Sequence, residues 1–245
     1  MFYFEKLNGR TVMKSDLLKN VEHFFTTRES IIKTKEKDFE VLVSENKKMF
    51  CEILNIKPEN FINPSQTHSV NIETAQINRN SYPDCDGLIL TNKEQGIFLN
   101  FADCTPLIFY DEKQNTGAVS HAGWRGTAGK IAALTIRKLV DDFNSDPSDI
   151  KALIGPAISM CCYNVGGDVL EKLLSTIENK EGTFEKRGDE FFVDLKEINR
   201  RQMEEEGVLN IDVCPYCTVC DNDIFFSYRK ENATTNRHSA ILKLR

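Results

Sequence analysis

Two rhythms of apolar residues run through the chain, one suited to strands and one to helices. Val21, Phe24 and Phe25 mark a short strand over residues 21–25. The charged stretch 30–40 has no period and reads as a loop. Over 41–54 the spacing becomes helical, through Val43, Met49, Phe50, Ile53 and Leu54, with Lys57-Pro58 as the stop. Phe61-Ile62-Asn63-Pro64 leads into a strand carrying His68, and Val70-Asn71-Ile72 alternates. Short apolar runs at 86–90, 96–100, 107–110 and 117–121 read as strands, the last ending on His121. Residues 126–143 make the strongest helix, with Ile131, Leu134, Ile136, Leu139 and Val140 along it. Residues 150–155 read as a buried strand, 169–177 and 195–206 as helices, and 191–194 and 224–227 as strands. Many short strands interleaved with a few helices predict an α/β (α+β) fold with mixed β-sheet layers flanked by helices.

Composition narrows the class. The 245 residues are 40% hydrophobic and 28% charged, and no compositional shift marks a linker, which predicts one domain over residues 1–245. A formal charge of −6 argues against nucleic acid as the main partner, because phosphate backbones need clustered Lys and Arg. The start, Met1-Phe2-Tyr3-Phe4-Glu5-Lys6, lacks the pattern of a secretory signal. No apolar run approaches the roughly 20 residues of a spanning helix. A cytoplasmic protein with no membrane partner is expected, and its cysteines should be thiols.

Chemistry concentrates in three strings: Gln66-Thr67-His68-Ser69-Val70, Ala102-Asp103-Cys104-Thr105-Pro106 and His121-Ala122-Gly123-Trp124-Arg125-Gly126. They hold two of the four histidines and one of the eight cysteines. One Cys and two His can bind a metal and leave a fourth position open, and zinc, copper and nickel all accept such donors. The same side chains can instead form a Cys104–His121 nucleophile pair, oriented by Asp86 or Asp103. As isolated residues in apolar strands, a Cys and a His are more often core than ligand. Asp103 beside Cys104 and Arg125 near His121 favour a site, since charged side chains are seldom buried without a partner. The glycines around Gly126, at the expected helix start, suit an anion, with Arg125 as a planar fork and Trp124 as a stacking surface. A capped, solvated turn with Thr127 as cap explains the same residues equally well. Cys214-Pro215-Tyr216-Cys217-Thr218-Val219-Cys220 has the spacing of half a metal site but needs a fourth donor, so a reduced, partly buried thiol cluster is expected there.

The strings QTHSV, ADCTPL, HAGWRGTAGKI, IGPAISMCCYNVGGDV and FFSYRKENATTNR together resemble the YfiH/YlmD family, whose members are labelled laccase-domain or polyphenol oxidase proteins and regarded as purine nucleoside phosphorylases. The resemblance runs from about Arg28 to Arg237. It implies a YfiH-like α/β domain and a zinc ion on His68, Cys104 and His121. It also implies phosphorolysis of adenosine, inosine, guanosine and methylthioadenosine, with adenosine deamination as a second activity. Purine nucleosides and inorganic phosphate would then be the partners of a monomer or small homo-oligomer. On that basis Arg125, with Arg28 and Lys47, is expected to hold phosphate, Trp124 to contact substrate, and Asp86 or Asp103 to shuttle the proton beside Cys104. The alternatives are a copper-dependent polyphenol oxidase and a Cys–His hydrolase. The chain departs from the family at Ile31-Ile32-Lys33-Thr34-Lys35, where Gly-Gly-Val-Ser is usual. It departs again at Asn46-Lys47, for Asn-Arg, and at Thr235-Asn236-Arg237, for Thr-Gly-Arg. The first departure falls on the expected substrate pocket wall. At the last, Asn tolerates a left-handed backbone better than most residues.

Overall fold

The computed structural model describes residues 1–245. Three strands open the chain, β1 (Phe2–Leu7), β2 (Arg10–Ser15) and β3 (Val21–Thr26), followed by α1 (Glu40–Leu54). Next come β4 (Phe61–Ile62), β5 (Ile72–Thr74), β6 (Gly87–Leu90), β7 (Gly96–Phe101), β8 (Thr105–Asp111) and β9 (Thr116–Ala122). Helices α2 (Trp124–Ala128) and α3 (Ile131–Phe143) lead to β10 (Ile150–Ile154), β11 (Asn164–Val165) and α4 (Gly167–Leu174). The chain closes through β12 (Phe184–Arg187), β13 (Glu190–Val193), α5 (Leu195–Glu205), β14 (Asn210–Val213) and β15 (His238–Leu244). No helix is long and apolar enough to cross a membrane.

Two six-stranded mixed sheets, ordered β1-β2-β3-β15-β7-β4 and β14-β10-β8-β9-β6-β5, pack face to face. Side chains alternate across a strand, so one strand feeds two cores. Ile97 and Leu99 of β7 join Leu88, Leu90, Ile108 and Val119 between the sheets, while Phe98 turns outward onto Phe50 and Leu54 of α1. Ile89, Leu107 and Phe109 face the opposite way, against Ile131, Ile136 and Leu139 of α3. The order of layers is therefore helix, sheet, sheet, helix. Both faces of β6 and β8 are buried, which is why these antiparallel strands read as near-continuous apolar runs. A β-carbon on Gly155 would stand 2.2 Å from Phe25 Cε1, so the two sheets close on a residue without a side chain.

Three local expectations are corrected. The predicted helix over 126–143 is two helices, broken where Lys130 takes φ 60° and where Gly129 packs so closely on Val70 that a β-carbon would lie 2.4 Å from Cγ1. The predicted strand over 224–227 is a chain of turns. Asp221 carbonyl takes the N–H of Ile224 and Phe225, and Glu231 takes that of Ser227, so these groups do not enter a ladder. Phe225 and Phe226 are apolar because they fill the core. His68 lies in a loop between β4 and β5, not in a strand. The hairpin β1–β2 and the strand β15 add to the predicted elements, and β15 joins β3 to β7.

Candidate functional site

Adjacent strands deliver two of the three donors. β8 starts one residue after Cys104, β9 ends one residue after His121, and the two strands pair Pro106 with His121. The third comes from the loop before β5, where His68 takes the left-handed φ of 65°. Cys104 Sγ lies 3.8 Å from His68 Nε2, the two imidazole rings meet edge to face at 4.8 Å, and all three donor atoms fall within 4.8 Å of one another.

Asp86 builds this cluster from behind. It is fully buried. Its Oδ1 accepts from His121 Nδ1 at 2.7 Å and from His68 N–H at 3.1 Å, and its Oδ2 accepts from the N–H groups of Thr67 at 3.0 Å and Ser69 at 2.7 Å. One carboxylate thus fixes the ring of His121 and the loop of His68, and leaves Nε2 of His121 as the free donor. Such a carboxylate–histidine link is the usual support of a metal ligand. Burial opposes ionisation of Asp86, but His121 and the backbone N–H groups hold its carboxyl far below the usual carboxylate range. Burial likewise opposes charge on Cys104 and His121. The pair overcomes it: the thiol is lowered to about 6 by His121 and His68, and the imidazole is raised to about 9 by Cys104 and Asp86. The sulfur is poised as thiolate, the form that binds metal or attacks carbon.

Gly123 explains part of the HAGWRG string. A β-carbon there would stand 3.0 Å from Cys104 Sγ and 3.1 Å from His68 Cδ2, so the chain must pass the cluster without a side chain.

His68, Cys104 and His121 open onto a cleft of about 1040 Å³, whose wall also carries Lys33, Lys35, Asp103, Tyr163, Tyr228, Arg229 and Arg237. Asp103 has φ 88° and accepts from Thr218 Oγ1 at 2.6 Å and from Arg229 N–H at 2.7 Å. Burial pushes the Tyr163 phenol up to about 12, and the charge on Cys104 adds to the shift. The departure at Lys33-Thr34-Lys35 lies on this wall. At the last departure the left-handed residues are Asn232 and Ala233, with φ 49° and 70°, rather than Asn236.

The structure does not bring the other expected contacts into the cleft. Arg28 pairs with Glu231 at 2.6 Å and lies over the Phe226 ring. Lys47 faces a separate cavity of about 610 Å³ and lies over Phe98. Arg125 is exposed, its guanidinium 4.3 Å from the centroid of Trp124, and Trp124 itself packs on the core around Leu170 and Leu173. The helix at this point has five residues and starts at Trp124. Gly126 is buried, with the His121 carbonyl 3.0 Å from where a β-carbon would sit. Thr127 accepts from Asn199 and does not cap the helix. Tyr163 and Arg229 were not singled out by sequence; the signal available was the polar string Ser227-Tyr228-Arg229-Lys230 directly after two buried phenylalanines.

The family described as "Multi-copper polyphenol oxidoreductase laccase" matches residues 26–245. The relative named purine nucleoside phosphorylase YlmD of Geobacillus stearothermophilus is 34% identical over 213 residues, covering 82% of this chain and 78% of the relative. Purine nucleoside phosphorylase YfiH of Escherichia coli is 33% identical over 140 residues, covering 57% and 56%. The crystal structure of the hypothetical protein YfiH from Bacillus licheniformis superposes with a TM-score of 0.89 at 28% identity and 99% coverage of both chains. That of YlmD from Geobacillus stearothermophilus gives 0.88 at 27% identity, covering 99% of this chain and 98% of the other.

Proposed function

Because the chain belongs to the laccase-domain family that includes YlmD and YfiH, we propose that it is a zinc-dependent purine nucleoside phosphorylase. Residues 1–245 act as one domain on adenosine, inosine, guanosine and methylthioadenosine. Phosphate cleaves each to the base and the corresponding ribose 1-phosphate, and adenosine deamination is a second activity. The observation that carries this reading is the convergence of His68, Cys104 and His121 on a cleft that also collects four cations and two tyrosines. The names of relatives at 34% and 33% identity support the reaction. Eight cysteines without a disulfide support a reducing, cytoplasmic setting.

His68, Cys104 and His121 are the residues that would hold zinc. Their donor set fits: a sulfur and a nitrogen bound to one tetrahedral zinc lie about 3.6 Å apart, and Cys104 and His68 stand at 3.8 Å. When bound, the ion would supply Lewis-acid polarisation and, for the deamination alone, an acidified water.

The rest falls to the chain's own side chains. Phosphorolysis joins a phosphate oxygen to the anomeric carbon as the bond to the purine breaks, and the electron pair leaves with the base. Lys33, Lys35, Arg229 and Arg237 hold the phosphate against the sugar; positioning of this kind can remove roughly 7–11 kcal/mol from a barrier. Arg237 is oriented by the carbonyls of Thr234 and Asn236, and Arg229 by Asn164, which leaves both guanidinium groups free of carboxylate partners. Tyr163 and Tyr228 flank the base. Asp103 is the one carboxylate among the cleft residues and relays the proton to the departing purine. Asp86, buried behind the cluster, is a positioning residue.

Two rival readings make different predictions. The line Asp86–His121–Cys104 resembles a nucleophile relay, and a Cys–His hydrolase would survive chelation and die with thiol alkylation. A multi-copper oxidase needs further imidazoles. The remaining two, His23 and His238, are buried in the core, bonded to Ser15 N–H and the Pro156 carbonyl. The deciding experiment incubates purified protein with adenosine, with and without phosphate, and separates products by chromatography. Adenine and ribose 1-phosphate formed only with phosphate support phosphorolysis, and inosine formed without phosphate supports deamination. Neither product at any zinc load would sink the enzyme reading.

A further inference from the structure

A second group of sulfur donors stands outside the cleft. β10 and β14 run parallel, from Lys151 opposite Asn210 to Ile154 opposite Val213, so the loops that follow them leave side by side. The pairing continues past the strands: Ala157 bridges Cys217, and Thr218 N–H donates to the Ala157 carbonyl at 3.1 Å. The first loop carries Cys161 and Cys162, the second Cys217 and Cys220. Their four sulfurs lie within 4.8 Å of one another. Cys220 Sγ is 3.6 Å from that of Cys161 and 3.5 Å from that of Cys162. A disulfide would bring two sulfurs to about 2.05 Å. Two thiolates on one tetrahedral zinc, each bonded at about 2.3 Å, lie about 3.8 Å apart.

Ser159 N–H donates to Cys217 Sγ at 3.4 Å. Four thiolates around a divalent ion carry a net charge of −2, and two cations are anchored on the same loops. Arg187 donates to the Cys161 carbonyl at 3.2 Å and Lys230 to the Val219 carbonyl at 3.0 Å. The CxxCxxC string misleads as to membership. Cys214 is buried between the sheets with its sulfur 3.9 Å from Met13 Sδ, and the missing donors come from the Cys161-Cys162 pair.

We propose that Cys161, Cys162, Cys217 and Cys220 form a structural tetrathiolate zinc site. The four thiols release their protons to solvent as Zn²⁺ enters. With four protein ligands the site keeps no open position, the mark of a structural rather than a catalytic centre. It ties together the two loops that grip Asp103: Ile158 N–H donates to the Asp103 carbonyl at 2.9 Å, and Thr218 Oγ1 to its carboxylate. Asp103 precedes Cys104, so the second metal braces the turn that presents a ligand of the first.

The test counts and identifies metal without relying on activity. Zinc per chain is measured by mass spectrometry, and its shell by X-ray absorption, in three full-length proteins: wild type, His68→Ala/His121→Ala, and Cys161→Ser/Cys220→Ser. Wild type should carry two zinc ions. The double-alanine protein should keep one, in a shell of four sulfurs at about 2.3 Å. The double-serine protein, altered at two exposed positions, should keep one in a mixed nitrogen–sulfur shell. Should that variant fail to fold, the double-alanine protein decides alone. No zinc in the double-alanine protein, iron in its place, or a two-hydrogen mass deficit locating a disulfide among the four cysteines overturns the proposal.

Discussion

The two thiol-bearing clusters use the same element in opposite ways. Around Cys104 there are three donors of mixed type, a buried carboxylate behind them, and a cleft of about 1040 Å³ in front. Around Cys217 there are four sulfurs, a carboxylate that holds only backbone, Asp221 accepting from Cys217 N–H at 2.8 Å, and no share in the cleft. The first arrangement leaves room for substrate, and the second closes on itself. Donor number and access, rather than the presence of cysteine, separate a reactive centre from a brace. They also differ in origin. Cys104 and His121 come from neighbouring ends of paired strands, whereas the four sulfurs come from two loops far apart in the chain.

The comparison breaks most sharply at Cys104. Cys104→Ala should lower kcat/KM for adenosine phosphorolysis by about 10³-fold, the scale of several kcal/mol of lost charge stabilisation, while the melting temperature moves little. Asp86→Asn should weaken zinc binding at this cluster by roughly 10–100-fold, as loss of a ligand's supporting carboxylate does; a competition titration with a chromophoric chelator reads it. The four-cysteine cluster should respond in the other currency. Cys161→Ser/Cys220→Ser should cost about 2–3 kcal/mol of stability, roughly 5–10 °C in melting temperature, with a smaller fall in activity. Gly123→Ala should overpack the first cluster, costing about 1–3 kcal/mol and lowering zinc affinity, without touching metal at the second.

A separate effect sets the baseline for any acid titration of either cluster. Burial holds the His23 imidazole down to about 4, and also lowers His238. A base whose folded value lies below its unfolded value of about 6.5 favours the fold when neutral. This contribution is complete above that value and is lost as pH falls toward 4. Melting temperatures between pH 7 and 4 should therefore fall less steeply in His23→Gln than in wild type. Parallel curves would show that His23 plays no part.

Much of the fold was legible because both faces of the central strands are buried. Runs such as Gly87–Leu90 and the residues 107–110 of β8 stand out as unbroken apolar stretches. The hairpin β1–β2 was silent because β1 is an edge strand whose Tyr3, Phe4, Glu5 and Lys6 are all exposed. The run 224–227 was misleading because burial of Phe225 and Phe226 looks the same in a turn as in a strand. At the site, the proximity of His68, Cys104 and His121 was readable from the strings that carry them. The cations were not: Arg28 and Lys47 are drawn to Glu231 and Phe98, and Lys33, Arg229 and Arg237 reach the cleft through loops that periodicity does not describe. The two sulfurs that join Cys217 and Cys220 were hidden because only the parallel pairing of β10 with β14 brings the Cys161-Cys162 pair to them.

Phosphate-dependent release of adenine from adenosine, followed side by side in zinc-loaded wild type, Cys104→Ala and Cys161→Ser/Cys220→Ser, tests the central claim most directly. The account predicts phosphate-dependent adenine from wild type, almost none from Cys104→Ala, and substantial release from the double-serine protein below its lowered melting temperature. Adenine release by Cys104→Ala at the wild-type rate would contradict it.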